Sequence, residues 1–229
     1  MPSYITTSNA KSRLSSPKSD SDFIAESSPP LIGFALDSSD SMRSLARDAI
    51  SGFNTLLAEQ QKLESSGSKF TLATFSDAVR FLYESLPISE VPPLSDNLYA
   101  PSGSTALNDA IGQLILHLGK QAQRFTRVLV AILTDGMDTS SHQFGSKDIL
   151  QMVSYRRLNY DWQFVFIGPK EALSYALSIG IPKSNIVEFN VSADGIGLIM
   201  DRLSKTVRAY QLGDQHFALQ LHAPFADRR

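Results

Sequence analysis

The sequence predicts an α/β fold: a doubly wound, mostly parallel sheet of six strands, with one antiparallel edge strand and helices on both faces. Three observations carry this. Short apolar runs of strand length alternate with stretches in which apolar residues recur at helical spacing, the order that a parallel sheet with crossover helices requires. Residues 70–75 and 79–86 break the alternation, because the gap at 76–78 is too short for a crossover and fits a hairpin. The two runs expected at the centre, 31–36 and Val128–Leu133, each stop at a polar loop bearing an aspartate, where open α/β sheets place their ligands.

Residues 1–29 hold nine serines and three prolines. They bury too little surface to offset the entropy of ordering and are expected to form a disordered tail. The domain proper is expected over 30–211. Its first strand, 31–36, is followed by Met42, Leu45, Ala49, Ile50, Phe53, Leu56, Leu57 and Leu63, which mark one apolar face of a helix across 42–63. The hairpin comes next, with 79–86 as the antiparallel edge. Pro87, Pro92, Pro93 and Pro101 punctuate a long connection over 87–103, irregular and of a length that compact domains often use for function. Ser104 or Thr105 caps a helix whose apolar face is Leu107, Ile111, Leu114, Ile115 and Leu118. Val128–Leu133 is the most apolar strand. A polar loop over 137–145, a helix over 146–158 and a strand over 162–167 follow. Pro169 suits the first turn of a helix running to Ile179. A short strand over 186–189 and a helix striped by Ile196, Ile199, Met200, Leu203, Val207 and Tyr210 complete the domain. Residues 212–229 show no clear period and are expected to trail off as a C-terminal extension.

Composition narrows the function. Of 229 residues, 42% are apolar, enough for a real core, and the net charge of -2 is spread along the chain. Neither a nucleic acid nor a membrane is therefore expected as a partner. The chain has no cysteine, which removes disulfides, zinc ribbons, iron–sulfur clusters and thiol catalysis together and fits a reducing compartment. No apolar run reaches the roughly 18 residues of a membrane span, and no secretory signal is visible, so a cytoplasmic protein is expected.

The chemistry lies in three loops that should meet at the carboxyl edge of the sheet. The first carries Asp37, Ser39, Asp40 and Ser41, the second Ser104 and Thr105, and the third Asp135, with Asp138 behind it. All are hard oxygen donors, which select Mg²⁺, Mn²⁺ or Ca²⁺ over zinc or copper. Hydroxyls bring dipoles without formal charge, so a cation held largely by them keeps its attraction for an anionic ligand. Each residue also has an ordinary role open to it: Asp37, Ser41 and Thr105 as helix caps, Asp135-Gly136 as a turn.

Taken together, Asp37-Ser38-Ser39-Asp40-Ser41, Thr105 and Thr134-Asp135-Gly136 resemble the intact metal-ion-dependent adhesion site of the von Willebrand factor A (vWA) domain family, a Rossmann-like fold. The element order and the hairpin edge extend the resemblance across 30–211, toward intracellular, bacterial-type members. The resemblance implies one Mg²⁺ (or Mn²⁺ or Ca²⁺) bound directly by Ser39 and Ser41. It implies Thr105 as a ligand directly or through water, and Asp37 and Asp135 as acting mostly through water. A partner protein's Glu or Asp would take the remaining position. Intracellular members often act as adaptors in multiprotein assemblies, some beside AAA+ ATPases. Many members have Gly where this chain has Asp40, and Asp40 is expected to point to solvent.

The function expected is thus a metal-dependent protein-binding module without catalysis. A Mg²⁺-dependent phosphohydrolase on a similar sheet is the alternative. That chemistry needs a second carboxylate two residues after the first, where this chain has Ser39, and the loops contain no lysine for a phosphate. A nucleotide site is disfavoured because 37–41 contains no glycine. Asp77, Asp109 and Asp138 read as mainly structural, with Asp138 the nearest to supporting the site. His117 and His142 read as packing or surface residues.

Overall fold

The computed structural model describes residues 28–63, 67–190 and 192–222. Most of the serine-rich tail therefore lies outside the described residues, as does the end of the C-terminal extension. Six strands, β1 (Leu31–Asp37), β2 (Lys69–Phe75), β3 (Val79–Pro87), β4 (Val128–Leu133), β5 (Gln163–Gly168) and β6 (Ile186–Glu188), form one sheet in the order β3-β2-β1-β4-β5-β6. All pairs are parallel except β2 with β3. The helices are α1 (Ala46–Gln61), α2 (Leu107–Gly119), α3 (Ser146–Tyr160), α4 (Leu173–Ser178), α5 (Ala193–Gln211) and α6 (Leu219–His222).

β1 is buried along its whole length, so it reads as a continuous apolar run rather than an alternation. Ile32, Phe34 and Leu36 face the layer built from α1 and α5, while Leu31 and Ala35 face the layer of α2, α3 and α4. Gly33 lets α2 come close, since a Cβ at this position would stand 2.6 Å from Leu118 Cδ1. The sheet is less regular at its margins. The β2–β3 register shifts around Leu72, Ser85 has a left-handed φ of 52°, and β6 is three residues long.

The long connection after β3 is irregular apart from a 3₁₀ turn over Ile88–Glu90, yet it is anchored. Ile88, Val91, Leu94 and Tyr99 are buried, and α1 stitches the segment down with side-chain amides. Asn54 Nδ2 donates to Leu94 O and Asn54 Oδ1 accepts from Leu94 N, while Gln61 Nε2 donates to the carbonyls of Ile88 and Val91. These bonds tie down the backbone of a segment that lies outside the sheet.

Four expectations need correction. Neither Ser104 nor Thr105 caps α2, which follows Ala106 and has no side-chain cap. The first part of the helix expected across 42–63 is a 3₁₀ turn, Asp40–Leu45. The helix expected from Pro169 to Ile179 is a 3₁₀ turn, Lys170–Ala172, followed by the short α4. Residues 212–222 do not trail off: Phe217 packs edge-on against Tyr210 with ring centroids 5.2 Å apart, and Leu221 of α6 is fully buried in the core. Arg127 closes the end of α5 by donating to the carbonyls of Tyr210 and Gln211. Among the described residues, no helix is long and apolar enough to cross a membrane.

The packing of α6 generates a stability test. Leu221→Ala should cost about 2–5 kcal/mol in urea unfolding, the usual range for an emptied leucine site. Leu219→Ala, on the same turn but 66% exposed, should change stability by no more than about 0.5 kcal/mol.

Candidate metal centre

The neighbours β1 and β4 run parallel, with Leu36 beside Leu133, so the loops that follow them emerge together. The sequence passes from β1 to β2 on one side and later to β4 on the other, which makes this edge the topological switch point. Asp37 ends β1 and is completely buried. Its Oδ1 accepts the Ser39 N–H at 2.8 Å and its Oδ2 accepts the Thr134 hydroxyl at 2.6 Å. Ser41 donates to Asp135 Oδ1 at 2.8 Å, and Ser39 Oγ lies 3.1 Å from Ser41 Oγ.

Thr105 is held by its main chain. Its N–H donates to Thr139 Oγ1, and its carbonyl accepts from the N–H groups of Thr139 and Ser140. Its hydroxyl faces the third loop, 4.0 Å from where a Gly136 Cβ would stand. The structure thus brings all five expected residues to one edge: Asp37, Ser39, Ser41 and Asp135 joined by hydrogen bonds, Thr105 against Gly136. Asp40 turns outward, exposed and paired with Arg43.

Two contributors are given no role of their own by the sequence, where Thr134 figures only within Thr134-Asp135-Gly136. Thr134 bridges the loops through its bond to Asp37, and its place just before Asp135 at a strand end is the only signal of that role. Tyr99, buried within the proline-rich connection, donates its phenol to Asp37 O at 2.5 Å. No periodicity marks it. Asp109 and Asp138 serve the loop after β4. Asp109 accepts the N–H groups of His142, Gln143 and Phe144, and Asp138 accepts the Asn108 N–H and the Ser141 hydroxyl.

The electrostatics are unbalanced. Burial pushes the Asp37 carboxyl up to about 6, against the hydrogen bonds from Thr134 and Ser39, and the Asp135 charge adds to the rise. Burial also raises Asp135, against the bond from Ser41. Burial and the charges of both aspartates push the Tyr99 phenol up. Among the described residues, no lysine or arginine pairs with either carboxylate. A buried charge left without a counter-charge is costly. Two desolvated carboxylates beside three hydroxyls are a hard-oxygen donor set that fits a divalent cation of the Mg²⁺ or Ca²⁺ type. Among the described residues, no group of three or more His, Cys, Asp and Glu comes together as a metal cluster. The candidate centre depends on its hydroxyls.

No protein-family profile and no curated protein matches the sequence. Solved structures do match the fold. The vWA protein from Catenulispora acidiphila is 15% identical with a TM-score of 0.54, over 77% of this chain and 42% of that one. The fold is vWA-like. The ArnB paralog VWA2 from Sulfolobus acidocaldarius shares it at 18% identity and a TM-score of 0.53, over 76% of this chain and 45% of that one. So does proximal thread matrix protein 1 from the mussel byssus, solved with zinc in its metal-ion-dependent adhesion site motif. It is 16% identical with a TM-score of 0.54, over 82% of this chain and 46% of that one. This chain spans less than half the length of each of these three.

The vWA-like edge generates a pH prediction. An aspartate whose folded-state value is raised from 3.8 to about 6 takes up protons more readily folded than unfolded. Its contribution to stability is therefore full below the unfolded value and is lost as pH rises through the folded one. In EDTA at pH 7.5, Asp37→Asn should be more stable than wild type by about 1–3 kcal/mol, at ~1.4 kcal/mol per unit of displacement. The gain should shrink as pH falls from about 6 toward 4. Urea melts across that range check it.

Proposed function

We propose that this chain is a divalent-metal-dependent protein-binding module that captures an acidic side chain of a partner protein. The observation that carries the reading is the pair of carboxylates, Asp37 fully buried and Asp135 partly so, joined through Ser39 and Ser41 at the carboxyl edge of a vWA-like sheet. Ser39 and Ser41 would hold the cation directly, Thr105 directly or through water, and Asp37 and Asp135 mostly through water. When bound, the cation supplies an electrophilic centre for a carboxylate of the partner. Mg²⁺ is the cation proposed, with Mn²⁺ and Ca²⁺ as the nearest substitutes for this donor set.

The module is proposed to be non-enzymatic, to work in the cytoplasm and to serve as an adaptor, in the manner of vWA proteins that stand beside ATPases. The loop chemistry supports the non-enzymatic reading. Ser39 stands where a phosphohydrolase would need its acid/base carboxylate. Asp40, the extra carboxylate of the first loop, is paired outward with Arg43.

Thermal unfolding in EDTA and in millimolar Mg²⁺, Mn²⁺ and Ca²⁺ tests the centre. A cation at about ten times its dissociation constant should add roughly 1.4 kcal/mol, a rise on the order of 3–5 °C for a domain of this size. Ser39→Ala should abolish the rise. A glutamate-bearing peptide or millimolar acetate should raise the melting temperature further, only with the cation present. A wild-type protein indifferent to every cation, with and without acetate, would overturn the reading. Mg²⁺-dependent turnover of an aryl phosphate, lost in Asp37→Ala, would replace it with the enzymatic one.

A further inference from the structure

We infer that Asp77, in the turn between β2 and β3, is a positioning residue for the metal centre and sets the place of Thr105; this rests on the metal-binding reading above. Asp77 is absent from the candidate ligand set, and its carboxylate bonds to the Ser104 N–H rather than to a ligand side chain. Its effect passes through the backbone on both sides of Thr105.

The turn grips that backbone at two points. Asp77 Oδ1 accepts the Ser104 N–H at 2.8 Å, and Ser76 O accepts the Ala106 N–H at 2.7 Å. Thr105 is therefore bracketed, its preceding and following amides both tied to the hairpin. The other carboxylate oxygen packs onto Gly103. That glycine has a φ of +81°, and a Cβ there would stand 2.3 Å from Asp77 Oδ2. Only glycine satisfies both the left-handed backbone and the space under the carboxylate. The same segment then holds the first metal loop: Gly103 O accepts the Asp40 N–H at 3.0 Å, and the Ser102 N–H donates to Ser38 O at 2.8 Å. Asp77 thus sits at the start of a short chain of bonds that reaches Thr105 on one side and the Ser39–Ser41 turn on the other. The hairpin edge of the sheet, remote from the centre in sequence, becomes part of its support.

A carboxylate near a cation site could also act by charge alone, and the substitutions separate the two. An asparagine keeps an Oδ1 that accepts the Ser104 N–H but carries no charge; an alanine keeps neither. Mg²⁺ affinity is measured by calorimetry on wild type, Asp77→Ala, Asp77→Asn and Gly103→Ala. Amide hydrogen exchange in EDTA follows Ser102, Ser104 and Ala106, and circular dichroism checks the fold. Asp77→Ala and Gly103→Ala should weaken Mg²⁺ binding roughly tenfold, as expected when a group orienting a ligand is lost. Both should exchange faster at those three amides, and Asp77→Asn should keep most of the affinity and the protection. Asp77→Ala with wild-type affinity would overturn the inference. So would Asp77→Asn falling as far as Asp77→Ala, which would assign the effect to charge. Wild type that takes up no Mg²⁺ in the same titration would fell the metal reading itself, and this inference with it.

Discussion

The Asp37 carboxylate is a charge taken out of water at the end of the central strand, and the carboxyl edge is arranged around it. β1 must be apolar on both faces because helices cover both, so the first polar side chain it delivers is delivered into the interior. The fold answers with hydrogen bonds rather than a counter-charge: an N–H from Ser39 and a hydroxyl from Thr134. Such dipoles reduce the cost of a buried anion without cancelling it. The residual imbalance turns an ordinary strand end into a place suited to a cation.

That arrangement needs three loops from distant parts of the sequence to keep register with one another. The doubly wound order achieves the coarse alignment by setting β1 beside β4. The fine alignment comes from backbone bonds between loops and from side chains that serve no ligand role. Asp109 gathers three successive amides of the segment after β4, Tyr99 reaches the Asp37 carbonyl, and Asn54 and Gln61 hold the proline-rich connection to α1.

Much of this was legible in the sequence, for identifiable reasons. Strands buried on both faces and helices with one apolar stripe leave strong local patterns, and the short gap at 76–78 admits only a hairpin. The strand ends placed the loops of Asp37, Ser39, Ser41 and Asp135 at one edge, and the resemblance to the vWA metal site picked out these residues and joined Thr105 to them. Tyr99 could not, since its partner is a main-chain carbonyl far away in sequence and its own segment has no period. The break between the 3₁₀ turn at Lys170–Ala172 and α4 was hidden for a related reason: helical spacing does not distinguish a tight turn from a regular one over so few residues. Phe217 and Leu221 escaped because two apolar residues four apart are too short a sample to separate a packed turn from an exposed one.

The margins of the sheet carry a consequence for how the molecule can associate. An edge strand offers a row of unpaired amides and carbonyls that invites another chain to add itself. Here β3 is interrupted by register shifts and by the left-handed Ser85, and β6 is three residues long. Neither margin presents the long, flat ladder that strand addition needs. Lateral growth of the sheet, whether by a partner's extended segment or by copies of this chain stacking into fibres, is blunted at both ends. Under the proposed binding role, recognition would fall to side chains at the tips of the loops.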